Sequence, residues 1–542
     1  MNPLGMSDWL QTPLGWLFAR RPQWRDAAGR WLLRIGYRYY WLLALVFAVA
    51  GAWDQFGHPF DRELSHASFD WLMRHRPVPY RADPDIVVLD IDEASLADMS
   101  PQFGRWPWPR SVLAEVAAKL EAAGAQAVMF DILFADPDIA NPRSEAEFDR
   151  YVASSRVSFF PVVRLNPAND TASRISVSML NFAARDPASA AADANAGRTV
   201  ALLPPYFKSI YDSTRSGTNN IYPDEDNVVR WYPNFETLAG YRIPSLPYRM
   251  AQALGWPLPT QARNLLNWPR RADAYRSVGF AAAEHAASSH DDAFFRQFSG
   301  KVVLIGSTAP SLNDIKATPV ERMHPGIYVL ATAIDNTRNG AFLHPLSAGW
   351  IWGLEVLMLA ASALLFARTN RALTVAKYFF ILPGALLLIS LASVSVSTLL
   401  LDLSVPAAIM LGYFTFAKLF DSHCRSFISG TGPFAPRIEP SGDAGRLQIA
   451  VLPATLSRDE VLLRLLEPGP PIKLWEPADT GLGRRWAEQG WVLWRWIAAG
   501  DRSGDRQARM ADPRWIDLPA NETLPGSFTL ARAIAAAATQ GE

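Results

Sequence analysis

Apolar positions fall along this chain in two patterns. Between residues 85 and 138, short apolar runs at 86–91 and 127–134 each end in acidic residues. Between them, Val112, Leu113, Val116, Ala117 and Leu120 recur at three-and-four spacing within 110–123. A run, an amphipathic helix and a second run predict a parallel βαβ unit. The unbroken hydrophobicity of both runs predicts strands covered on both faces. Downstream, 144–154 reads as a helix, 157–163 as a strand and 199–203 as a return to the sheet. Residues 301–305 read as a buried strand ending in Gly306-Ser307-Thr308, and 326–339 as a helix. The intervening 166–198, rich in Ala, Asn, Asp and Ser, reads as an insertion or loop. Strands alternating with helices give an α/β class with a mostly parallel sheet.

The second pattern is long and uninterrupted. Residues 39–53 are free of charge and follow a basic stretch, 1–38, that carries Arg20, Arg21, Arg25, Arg30, Arg34 and Arg38. A helix of this length spans about 22 Å, so Arg34 and Arg38 must snorkel for it to cross about 30 Å of hydrocarbon. Ala48-Val49-Ala50 resembles a signal-peptidase site, but so long a basic region and the interfacial Trp53 favour an uncleaved anchor. Three more apolar runs lie at 347–367, 378–401 and 403–420. The Arg368, Arg371 and Lys377 loop places both termini in the cytoplasm and 54–346 outside. Four membrane helices, one before the α/β body and three after it, are therefore expected. Membrane lipid is a partner on this reading.

Composition narrows the field. At 542 residues the chain exceeds one ordinary domain, and its net charge of zero with no basic stripe excludes nucleic acid as the main partner. A single cysteine, Cys424, excludes an internal disulfide framework. Glu355, inside the second span, has two readings: a coupling role within the bundle, or a neutral or water-reached side chain near the outer surface. Residues 421–542 are expected to hold a small cytoplasmic α+β domain. It has strands at 447–452 and 491–497, helices at 458–466 and 529–539, and a linker at 427–444. Trp475, Trp486, Trp491, Trp494, Trp496 and Trp515 would fill its core.

Candidate chemistry lies at the strand ends. Asp90, Asp92 and Glu93 close one strand and Asp131 the other, with Asp136 and Asp138 beyond. In parallel sheets ligands bind at the carboxyl ends of strands, and converging carboxylates suit a divalent cation, so Asp90, Asp92 and Asp131 are the metal candidates. Helix capping and turn formation explain the same residues without a ligand. The Ser307 and Thr308 turn has the form of an anion nest but lacks a full phosphate-loop pattern. No HExxH, GxSxG or kinase signature is present, so no catalytic residue and no further cofactor are assigned.

Several ordered pieces resemble a known family. They are IDEASL at 91–96, RWPWPR at 105–110, FDILF at 130–134, PDEDNVVR at 223–230 and IPSLP at 243–247. GKVVLIGSTA at 300–309 and the Asp314, Thr318-Pro319, Pro325-Gly326 series complete the set. Together they resemble the second class of CHASE domain, the extracytoplasmic sensory module of bacterial histidine kinases and nucleotide cyclases. That resemblance adds Arg110 and Asp314 to the candidate ligand-binding residues, and it implies one span before the domain and three after. Two departures stand out: Leu330-Ala331-Thr332 replaces a His-Ala-Asn cluster, and Asp226-Asn227 replaces an Asp-Gly turn. The expected protein is a sensor of the bacterial inner membrane with an extracytoplasmic ligand and a cytoplasmic signalling partner. A homodimer would suit that role. The competing expectations are an anchored metal-dependent hydrolase and a structural subunit of an envelope complex.

Overall fold

A computed structural model describes residues 38–57, 62–180, 183–186, 197–207, 215–368 and 372–429, and strands at 445–453, 472–474, 490–498 and 516–518. The basic residues 1–37, the helices expected at 458–466 and 529–539, most of the 427–444 linker, and Trp475, Trp486 and Trp515 lie outside the described residues.

In chain order, α1 (Arg38–Phe56) and α2 (Arg62–His75) precede β1 (Ile86–Asp90), α3 (Glu93–Phe103), α4 (Arg110–Ala122) and β2 (Ala127–Phe130). Next come α5 (Pro142–Ser154), β3 (Ser158–Arg164), the short strands β4 (Leu202–Leu203) and β5 (Ser216–Thr218), and α6 (Leu246–Leu254). β6 (Arg276–Gly279), α7 (Phe280–Ser288), β7 (Val302–Gly306) and α8 (Gly326–Asn339) complete the α/β body. Three apolar helices follow, α9 (Ala348–Arg368), α10 (Ala372–Val396) and α11 (Ser404–Ser429).

The sheet runs β6-β1-β7-β2-β3-β4, with β5 beside β3. All these pairings are parallel except β3 with β4. β7 lies between β1 and β2, pairing Asp90 with Gly306 and Ile305 with Phe130. Every residue of β1, β2 and β7 is buried, as continuous Val, Ile and Leu runs require in a sheet covered twice. Ile86, Val88, Met129 and Leu304 face Ile327, Leu330 and Ile334 of α8. Val87, Leu89, Phe130, Val303 and Ile305 face α4, α5 and α7 through Val112, Val116, Leu120, Phe148 and Phe280. Burying each such side chain contributes about 1.5–3 kcal/mol.

Two expectations on these elements need correction. The strand expected over 127–134 stops at Phe130, because Phe134 turns into a ring cluster with Phe130, Phe148, Phe160 and Phe207. The helix Glu93–Phe103 was not anticipated. Asp92 caps it, its side chain accepting from the Ser95 N–H at 2.7 Å. The helix expected at 326–339 is present over those residues and ends at Gly340, whose φ of 59° suits glycine.

The described residues divide into two compact units. One comprises Pro59–Ile351 with Gly384–Val405, so the reversal between α10 and α11 belongs to the α/β body. His344–Pro345 pairs in parallel with Leu399–Leu400, and Val394 and Leu400 sit in the core beneath α8. The reversal is itself tied: Ser390 and Ser393 hydroxyls accept from the Leu403 and Leu401 N–H groups, and Asp402 accepts from Ser404 and Ser68.

In the other unit α1 packs with α9 and α11. Tyr40 stacks on Phe366 with centroids 5.2 Å apart, Phe47 meets Tyr413 edge-on at 6.2 Å, and the Tyr413 hydroxyl donates to the Tyr40 carbonyl. One described helix, Ala348–Ala367, is long and apolar enough to cross a membrane, and Ile381–Val396 and Ser404–Phe420 are shorter apolar segments. α10 begins before the expected 378 and ends at Val396, and α11 continues past 420 to Ser429. The carboxyl-terminal strands β8 (Gly445–Pro453), β9 (Ile472–Leu474), β10 (Gly490–Ala498) and β11 (Ile516–Leu518) form an antiparallel sheet ordered β9-β10-β8-β11. Its two long strands contain the stretches expected at 447–452 and 491–497.

Candidate ligand crevice at the carboxyl ends of the sheet

Strand exits set the candidate site. β1, β2 and β6 feed helices that cover one face of the sheet, whereas β7 feeds α8 on the other. β7 is flanked by β1 and β2, so connections diverge on either side of its carboxyl end, the place where parallel sheets open a cleft.

On one side of β7 stands Asp90. Its Oδ1 accepts from the Thr308 N–H at 2.9 Å and its Oδ2 from the Thr308 hydroxyl at 2.6 Å and the Ser277 hydroxyl at 3.4 Å. Burial raises the Asp90 carboxyl above the usual range, against the pull of the Thr308 bonds. Ser307 donates to the Ile91 carbonyl at 2.7 Å. The turn at Ser307 and Thr308, expected as an anion nest, therefore already holds a carboxyl group, that of the protein's own Asp90. Asp92 points away to cap α3, and Glu93 accepts from the Ser311 N–H at 2.9 Å.

On the other side stands Asp131. Asn219 donates to its Oδ1 at 3.2 Å. Burial, with the charge of Asp314 adding, pushes the Asp131 carboxyl up to about 7, against the Asn219 bond and Lys316. Lys316 Nζ lies 3.0 Å from Asp314 Oδ1. Two glycines make room here. A Cβ on Gly306 would lie 2.9 Å from the Asp131 Cβ, and one on Gly326 would lie 2.0 Å from Asp314 Oδ2. The Asp314 carboxylate thus covers the first residue of α8, where the helix dipole favours negative charge. The buried Tyr232 hydroxyl has no hydrogen-bond partner, and burial together with the Asp131 charge pushes it well up.

Of the sequence candidates, Asp90, Ser307 and Thr308 are joined around the turn after β7, and Asp131 and Asp314 form a second group. Arg110 belongs to neither. Its Nη1 donates to both Glu145 oxygens at 2.9 Å and its Nη2 to the Asp136 carbonyl, and the guanidinium lies over the Phe134 and Tyr206 rings. Nor do Asp90, Asp92 and Asp131 gather as a metal-ligating trio. Among the described residues, the three side chains with ligand atoms within 4.8 Å of one another are His66, Asp224 and Asp226. There Arg230, 2 % exposed, already donates to Asp224 at 3.0 Å, Asp226 at 2.7 Å and Asp70 at 2.8 Å.

Sequence reasoning missed two buried polar centres. Asp335 accepts from Tyr80 at 2.7 Å, Tyr275 at 2.9 Å, the Asp83 N–H at 3.0 Å and Asn339 at 2.8 Å. Arg76 donates to Asn267 Oδ1 at 2.7 Å and to the Trp268 carbonyl. Partners so distant in sequence leave no local signal, although Asp335 and Asn339 at i and i+4 share a helix face.

A family model described as the CHASE2 domain matches residues 42–367, more than half of the chain. No curated protein and no solved structure matches.

Proposed function

The chain belongs to the CHASE2 family of extracytoplasmic sensory domains, and from that premise we propose a multi-pass sensor of the bacterial inner membrane that signals by contact with a cytoplasmic partner. The observation that carries this reading is the α10–α11 reversal inside the core of the sensory body. Val394 and Leu400 pack with Ile327 and Leu330 of α8, and α8 begins at the crevice beside Asp314. A ligand that shifts α8 therefore acts on the ends of two apolar helices through packed side chains. For that to constitute sensing, the ligand must favour one packing of the body over another.

The crevice suits a small polar ligand. Asp131 with a proton, the Asn219 amide, Lys316 and the Tyr232 hydroxyl offer donors, and Asp314 offers an acceptor. Four spans are supported by where large apolar side chains meet the surroundings. Trp41, Leu45 and Val49 on α1, Leu357 on α9, Leu388 on α10 and Phe416 on α11 are all exposed. Contiguous apolar faces of this kind call for lipid or a partner. The arginines of the first segment and of the 368–377 loop favour a topology with both termini inside. Residues 421–542 carry the output contact on this account, without an enzyme signature of their own.

The test is deletion of residues 447–542 from the chromosomal copy, followed by transcript profiling against wild type under envelope stress. The expected result is a lost response with normal membrane insertion. An unchanged response would remove the output role from this segment.

A further inference from the structure

Glu355 is wholly buried, 0 % exposed, and neither of its carboxyl oxygens has a hydrogen-bond partner. Its carboxyl lies in a notch on α1 left by Gly51, where a Cβ would stand 2.0 Å from Oε1 and 2.6 Å from the carboxyl carbon. One turn earlier on each helix, Trp352 Nε1 donates to the Ala48 carbonyl at 3.0 Å, fixing the register of α9 against α1. Phe56 closes the contact edge-on against Trp352 at 6.0 Å. This is a built position for one carboxyl group.

What fills such a position follows from solvation. An ionised carboxylate with no donor inside hydrocarbon is strongly disfavoured, and the same group with a proton is not. No cation among the described residues pairs with Glu355. On α1, Asp54 lies one turn beyond Gly51 and carries an acid, not a base. On α11, Tyr413 turns its hydroxyl to the Tyr40 carbonyl, and Lys418 lies further toward the other end of the bundle.

We propose that Glu355 and the Gly51 notch form a proton-binding site of the helix bundle, in which the acid form seats the side chain and holds α9 against α1. Loss of the proton expels the carboxylate from the notch and loosens that contact. The site deepens the sensor reading and rests on it in one respect, that α1 and α9 lie in lipid.

The test uses the full-length protein in phosphatidylcholine and phosphatidylglycerol vesicles. Dicyclohexylcarbodiimide, which partitions into lipid and attacks protonated carboxyls, is compared with a water-soluble carbodiimide at about pH 6 and about pH 9, with peptide mass spectrometry as the readout. Glu355 is expected to react with the lipid-soluble reagent alone. Labelling should fall roughly tenfold per pH unit above its midpoint. Gly51→Ala should shift Glu355 toward the water-soluble reagent, and Glu355→Gln should remove the label. No label on Glu355, equal labelling at both pH values, or a Gly51→Ala pattern identical to wild type would each overturn the site. A lipid-phase photoreactive probe, run in parallel, reports on Leu45 and Leu357. If those stay unlabelled, the membrane reading itself has failed; if they are labelled while Glu355 is inert, the proton site alone has failed.

Discussion

Arg76 reaches the main-chain carbonyl of Val394 at 3.3 Å, joining the end of α2 to the last turn of α10. The guanidinium is 1 % exposed, and no carboxylate among the described residues pairs with it. Burial, with Arg270 alongside, pulls it down to about 10, so it stays charged at neutral pH. Carbonyl dipoles and the negative end of a helix stand in for a counter-ion.

Replacing Arg76 by Met should therefore remove three hydrogen bonds at once and leave buried acceptors without a donor. A loss of about 2–4 kcal/mol is expected, read as a lower thermal midpoint of the full-length protein in detergent. Arg76→Lys should recover part of it, since one ammonium cannot reach the whole set. Wild-type stability in Arg76→Met would show that the latch contributes nothing.

Asp131 gives a pH dependence whose sign is fixed. Its folded value, about 7, lies above the ordinary aspartate value near 4, so the folded state prefers the acid. That preference is complete below about pH 4 and is lost as pH rises through about 7. Asp131→Asn, which mimics the acid, should stabilise the protein above pH 7 by about 1–2 kcal/mol relative to wild type, a figure kept small because Asp131 keeps some surface in water, and read as a higher thermal midpoint. Parallel pH profiles for the two proteins would contradict this.

Asp90 gains its anchorage from Thr308. Thr308→Val keeps the shape and the N–H bond but removes the 2.6 Å hydroxyl donor, at an expected cost of about 1–2 kcal/mol. Asp90→Ala should cost more, since it leaves the Thr308 N–H and hydroxyl both unpaired. Urea titration followed by tryptophan fluorescence would rank the two, and the reverse order would disprove the filled nest.

Arg230 holds three carboxylates, and its bonds keep the Asp226 carboxyl below its usual range. The resulting stabilisation is present above the ordinary aspartate value and fades as pH falls through the lower folded one. Arg230→Ala should cost about 3 kcal/mol, at the low end for a buried pair because Asp226 is open to water. It should also shrink the loss of stability on acidification, which acid titration of the variant would measure.

Topology offers a separate check. A reporter that fluoresces only in the cytosol, inserted in the loop after Gly255, should stay dark, while the same reporter after residue 542 should be bright. A bright signal from the first position would reverse the assignment of inside and outside.

The sheet and α8 were readable from sequence because their signal is periodic and local. Val112, Val116 and Leu120 announce a helix face, and five consecutive buried positions announce β1. The end of β2 was not readable, since Ile132, Leu133 and Phe134 continue the apolar run while the chain has already turned toward the ring cluster. Strand-end logic placed Asp90 and Asp131 at the carboxyl edge. That Thr308 satisfies Asp90 depends on a contact across 218 residues, which no local pattern encodes. Arg76 was silent for the same reason.

The parallel clasp of His344–Pro345 with Leu399–Leu400 has a practical corollary for anyone recombining this protein. A fragment cut after residue 346 would omit Val394 and Leu400, and would bare the apolar seat they occupy. Grafting the sensory body onto a foreign output therefore demands a junction beyond Val405, with both flanking helices carried along as part of the transplanted piece.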